Sequence, residues 1–186
     1  MFAQPDRTVS QARALVDAAM ARTRVAVRYD GAYLAINYPG GDVPDEIGVC
    51  TDLVIRAYRA IGVDLQQAIH EDMALNFDSY PSSRIWGLTG PDANIDHRRV
   101  PNLQTFFDRS GASLAVTNRA EDYLPGDLVT WTLPGNLPHI GIVSEHPAET
   151  EGPAVRQIVH NIGAGPVVSD ILFKYPVTGH YRFFPD

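Results

Sequence analysis

Residues 125–161 read PGDLVTWTLPGNLPHIGIVSEHPAETEGPAVRQIVHN, and this stretch decides the fold. Three short runs, Asp127–Thr132, His139–Ser144 and Val155–His160, are rich in the β-branched residues that suit a pleated, half-buried surface, and turn formers separate them. They predict consecutive antiparallel strands. HPAETEGPA is the expected connection between the last two, and a hairpin folded about a midpoint near Glu149–Thr150 sets His139 opposite His160. Opposed residues project from one face with Cβ atoms about 5 Å apart, so one imidazole can orient the other. Further strands are expected near Ser113–Thr117, Ile171–Tyr175 and Gly179–Phe184.

The chain before this block is helical in period. Ala12, Leu15, Val16, Ala19 and Met20 predict a helix over 10–24. Cys50, Leu53, Val54, Ala57, Tyr58 and Ile61 share one face of a second helix, with Gly62 where a left-handed cap is wanted. Asp64 is expected to cap a third helix, with Gln67 at the reciprocal position and Leu65, Ile69, Met73 and Phe77 as its inner stripe. Residues 78–99 read as a long ordered loop, followed by a short helix around Pro101–Ser110 closed by Gly111. Helices followed by strands indicate an α+β domain, its helices packed on an antiparallel sheet.

Composition sets the outer limits. The chain has 186 residues, 45% hydrophobic and 20% charged, which fits one globular domain over 1–186 with residues 1–9 flexible. Net charge is −7, with Lys174 the only lysine, so there is no concentrated basic surface for nucleic acid. No apolar run approaches the 18 or more residues needed to span a bilayer, and membrane insertion is not expected. The single cysteine excludes an intramolecular disulfide and any multi-thiolate metal site. His70-Glu71 opens like a zinc-protease helix, but Ala74 stands where the second histidine ligand is required. No metal and no cofactor is expected. The stretch MFAQPDRTVSQAR has no apolar signal core, which leaves the cytoplasm open alongside a compartment reached after signal removal.

A thiol attacks carbonyls as thiolate, and a helix N-terminus or an adjacent imidazolium favours that form. Cys50 falls in the first turn of the second helix and needs a base. His139 and His160 supply one, and nucleophile, base and orienter together form the arrangement that covalent catalysis requires. Asn161 points to the opposite face in this register and is the weaker orienter. Amides at the helix start, that of Cys50 first, are free to stabilise an oxyanion. Taken alone, a cysteine on an apolar helix face is more often a small core residue.

PGDLVTW, HIGIVSE and QIVHN, following a helix-starting cysteine, resemble the signature of the NlpC/p60 superfamily of papain-like cell-wall peptidases. GVCTDLVIRAYR, HEDM and NIDHRRVPNL are similar to a bacterial branch, domain of unknown function 1287, and that similarity covers nearly all of residues 29–184. The resemblance implies a papain-like α+β fold in which Cys50 is nucleophile, His139 base and His160 the third member. Tyr38, twelve residues before the cysteine, falls where the superfamily has a tyrosine beside the thiol. Thr51-Asp52 follow the cysteine here, where Ser or Gly is usual. Asp52 has two readings, a first-turn carboxylate pairing Arg56 or a group holding a substrate amine. Asp96, His97 and Arg98 form a polar loop that either lines a substrate cleft, with Arg98 on a carboxylate, or is stabilised by its own Asx turns. The implied substrate is the stem or cross-link peptide of peptidoglycan, cleaved by a monomer in the periplasm or outside the cell through a thioester. The alternatives are a cysteine acyltransferase or protein deamidase, such as a secreted toxin, and a non-catalytic peptidoglycan-binding module.

Overall fold

The computed structural model describes residues 5–149 and 155–185. Helix α1 spans Pro5–Arg22, so the described residues 5–9, expected to be flexible, are helical instead. A minimal parallel pair follows, β1 (Arg28–Tyr29) with β2 (Ile47–Gly48). Next come α2 (Cys50–Ala60), α3 (Leu65–Asn76), the short α4 (Ser82–Trp86) and α5 (Val100–Arg109). The strands are β3 (Ser113–Leu114), β4 (Leu128–Leu133), β5 (Leu137–Pro147), β6 (Arg156–Asn161), β7 (Pro166–Ser169) and β8 (Val177–Tyr181). They form one antiparallel six-stranded sheet in the order β3-β8-β4-β5-β6-β7, which is the α+β architecture read from the sequence.

Strand alternation divides the sheet into two differently packed faces. Leu128, Ile140, Ile142, Val159 and Tyr181 meet Leu15, Val54, Ile69, Leu103 and Phe107 of the helices in the main core. Val129, Trp131, Val143 and Ile158 point the other way and form a smaller core with Tyr123, Ile171 and Leu172. Local signals place the helix ends as expected. Asp64 accepts the amides of Gln66 and Gln67, while Gly62 takes φ +86° just past α2. Gln67 does not complete a capping box, because its amide donates to Glu71 at 2.8 Å.

The PGD turn ahead of β4 is explained by Asp127, which is fully buried. Its carboxylate accepts from His180 Nε2 at 2.8 Å, from Arg182 Nε at 2.7 Å and from the amide of Leu124 at 2.8 Å. A buried charge persists only when paired and hydrogen-bonded, and here the pairing clamps β8 to the start of β4.

The β5–β6 register differs from expectation. Gly141, not His139, lies opposite His160. A Cβ at Gly141 would come within 2.5 Å of Ile158 Cγ2 and 3.1 Å of His160 Cβ, so glycine is what lets the strands close here. The expected midpoint of the hairpin touches Thr150, and 150–154 lie outside the described residues. Ile171–Tyr175 is a turn rather than a strand: Ile171 and Leu172 are apolar because they seal the smaller core, where Leu172 O accepts from Trp131 Nε1 at 2.9 Å. The edge strand β7 takes the sheet position instead, pairing β6 through Val159↔Val168 and its neighbours.

Candidate active site

Cys50 is the first residue of α2 and is 4% exposed. Three donors surround its sulfur: the Tyr29 hydroxyl and the amides of Ile140 and Thr51. They favour the thiolate, but burial outweighs them and the thiol is pushed up from 9.0 to about 11. Burial likewise raises the Tyr29 phenol. The tyrosine beside the thiol is therefore Tyr29 and not Tyr38. Tyr38 lies on the surface, 42% exposed, with its ring 4.8 Å from that of His70. The reason is a long-range pairing: Tyr29↔Gly48 in the small parallel ladder draws Tyr29 to the start of α2.

His139 and His160 are brought together as the sequence suggested, although diagonally and not directly across the ladder. His139 Nε2 lies 2.9 Å from His160 Nδ1, and His160 Nε2 lies 2.6 Å from Ser169 Oγ on β7. When His160 donates to Ser169, its Nδ1 accepts from His139 Nε2–H, and His139 keeps a lone pair on Nδ1, the form a base requires. Burial lowers both rings from 6.5, His139 to about 4 and His160 to about 3, with the His139 charge adding to the second shift. Both are neutral near pH 7.

Ile140 and Ile142 share the main core with Cys50, and His139 lies beside its ladder partner Trp131, with ring centroids 6.0 Å apart. Among the described residues no hydrogen bond joins the sulfur to an imidazole nitrogen. What adjoins the sulfur is the backbone of the next residue, Ile140. On the helix side, Asn161 Nδ2 donates to Gly48 O at 3.2 Å and braces the turn before Cys50, while its buried Oδ1 has no hydrogen-bond partner among the described residues.

Most of the residues expected to bind substrate are interior instead. Asp52 does not pair Arg56. It accepts from the amide of Val49 at 2.7 Å and from Arg98 Nε and Nη2 at 2.8 and 3.0 Å. The rest of the Arg98 guanidinium donates to the carbonyls of Ala32 and Asp30. This buried pair ties the 30–32 loop to α2 and leaves neither group for a ligand. Arg56 instead binds Asp42 and the carbonyls of Val43, Pro44 and Ile47. Asp96 and His97 are also buried; Asp96 accepts from the amide of Asp92, and desolvation lowers His97 to about 4. The Asx turn at Asp92 is present, through the Asn94 amide at 2.9 Å, but the loop is packed inward.

A groove of about 410 Å³ opens above Cys50, walled by Tyr29, Tyr33, Trp86, Arg99 and Pro138. Sequence reasoning missed Tyr29, Tyr33 and Arg99. The sequence reading set Arg98 on a ligand carboxylate, and Arg98 is instead turned inward onto Asp52.

Fold and site define an α+β protein with a helix-starting cysteine at the floor of a cleft beside a buried histidine pair. The chain belongs to the family Domain of unknown function (DUF1287), whose model matches residues 16–183. It is 49% identical over 171 residues to the "Uncharacterized protein YijF" of Escherichia coli (strain K12), covering 92% of this chain and 81% of that protein. Among solved structures it is similar to NlpC1 from Trichomonas vaginalis, at 16% identity and a TM-score of 0.49, covering 95% of this chain. The match spans 45% of the NlpC1 chain, under half its length.

Proposed function

We propose that this protein is a cysteine-dependent amide hydrolase, with Cys50 as nucleophile, His139 as base and His160 fixing the His139 tautomer. One observation carries the reading: the sulfur sits at a helix N-terminus on the floor of an open groove and is touched by the amide of the residue next to His139. Thiol and imidazoles rest neutral, so the proton leaves sulfur as the acyl carbon is attacked, passes to His139 Nδ1, and is later given to the leaving amine. Catalytic hydrogen bonds commonly tighten only when substrate is bound, which is when the His139 ring is required to reach the sulfur. Amides at the start of α2 serve the oxyanion. Water then releases the acyl group from the thioester. The substrate suggested by the NlpC/p60 resemblance is peptidoglycan stem or cross-link peptide, in the periplasm or outside the cell.

A second reading is favoured by the raised thiol, which among the described residues has no hydrogen bond to an imidazole nitrogen: a peptide-binding module on the same scaffold without catalysis. One experiment separates the two. Purified sacculi are digested with wild type and with Cys50→Ala, and the released fragments are identified by mass spectrometry. Peptide fragments released only by wild type support the hydrolase; identical patterns remove it. Added amines that capture the acyl group in preference to water identify a transferase.

A further inference from the structure

We infer that the groove above Cys50 holds a carboxylate of its ligand on Arg99, with Trp86 as the platform that aims the guanidinium. The inference names a ligand feature for the site of the proposed hydrolase and rests on that reading only for the role of the bound molecule.

The groove is unlike the rest of the surface. The chain carries a net charge of −7, yet the charged residues lining this groove are Arg98 and Arg99, with no Asp or Glu among them. Arg98 is consumed by Asp52 and two backbone carbonyls. Arg99 is different. Its guanidinium carbon lies over the Trp86 ring, 4.0 Å from the centroid, and its one side-chain hydrogen bond among the described residues is a long contact of 3.4 Å to Asp96. Cation–π contact with an indole holds the guanidinium in place and leaves further N–H donors, whose fork geometry suits a carboxylate. Of the nearby acids, Asp96 engages one donor, its Oδ1 lying 3.4 Å from Arg99 Nη1, and the remaining donors are left for a ligand. Asp96 is buried and accepts the amide of Asp92, while Asp92 is held by the Tyr33 hydroxyl at 3.0 Å and by Asn94. Tyr33 and Trp86 are themselves partly exposed, so the arginine is flanked by aromatic surface suited to a peptide.

The test uses full-length Cys50→Ala protein, so that no chemistry is needed. Three synthetic peptides are titrated: N-acetyl-Ala-Ala-Ala with a free C-terminal carboxylate, the same peptide as its C-terminal amide, and N-acetyl-Ala-Glu-Ala amide, which moves the carboxylate to a side chain. Tryptophan emission is the readout, because Trp131 is fully buried in the smaller core and Trp86 is the indole in the groove. At least one carboxylate peptide is expected to bind roughly 10- to 100-fold more tightly than the neutral one, as a charge-assisted pair implies. The preference should shrink with added salt. Arg99→Gln should reduce the carboxylate peptide to the affinity of the amide, and Arg99→Lys, lacking the planar fork, should recover only part of it. Equal affinity for all three peptides, or no binding by any at millimolar concentration, overturns the subsite without needing a variant. A preference that survives in folded Arg99→Gln overturns the assignment to Arg99. Selective binding by a protein that does not digest sacculi sinks the hydrolase and leaves the subsite standing; digestion without selectivity does the reverse.

Discussion

Alkylation of Cys50 tests the electrostatics of the site directly, because this is the only cysteine and every adduct reports on it. Burial holds the thiol at about 11 instead of 9.0. At pH 7 a thiol at 9.0 is about one part in a hundred thiolate, and one at 11 about one part in ten thousand. Iodoacetamide should therefore react roughly 100-fold more slowly than with a free cysteine, and shielding of the sulfur slows it further. The rate should climb about tenfold per pH unit and level off only near pH 11. Tyr29→Phe removes one of three donors to the thiolate while keeping the ring, and bonds to a charged group are worth about 1.5–3 kcal/mol. The variant should react about tenfold more slowly still at pH 8. Rates are read by intact mass spectrometry on quenched samples. A reaction at pH 7 as fast as that of free cysteine, flat between pH 5 and 8, would refute the reasoning. It would mean that the pair rests as thiolate and imidazolium, with the His139 ring already on the sulfur.

Two further outcomes follow from the buried charges. His97, His139 and His160 are lowered by burial to about 4, 4 and 3, so below pH 6.5 the unfolded chain takes up protons that the folded chain refuses. Stability should fall as the pH drops from 6.5 towards 5, by up to about 1.4 kcal/mol per unit for each histidine, and urea midpoints that stay constant over that window would contradict it. Asp127→Ala strips the clamp from His180 and Arg182, and Asp52→Ala leaves Arg98 buried without its partner; each should cost about 3–5 kcal/mol in urea unfolding, against less than about 1 kcal/mol for an exposed pair such as Arg119 with Glu121.

The main helices and the central strands were legible in the sequence because their causes are local. The cap at Asp64, the left-handed Gly62, the period that starts α2 at Cys50, and the alternation of β4, β5 and β6 need only neighbours within a turn or a strand. The same locality let His139 and His160 be read as a pair on one face, since a shift of two residues in register leaves the face unchanged. Which face meets the helices is not a local property. It is decided by where Ile140 and Ile142 bury themselves against α2, and that choice sets the His139 ring beside Trp131. The tyrosine beside the thiol was likewise misassigned, because spacing counts residues along the chain while the Tyr29↔Gly48 ladder joins residues across it. Arg98 and Arg99 are adjacent and chemically identical, so no pattern separates the one buried on Asp52 from the one held over Trp86. Only packing does: Arg98 turns inward to the buried charge of Asp52, and Arg99 turns out onto Trp86. The sequence determined the main helices and the central strands; the tertiary structure decided the edge of the sheet and which side chains meet, because that depends on which surfaces leave water together.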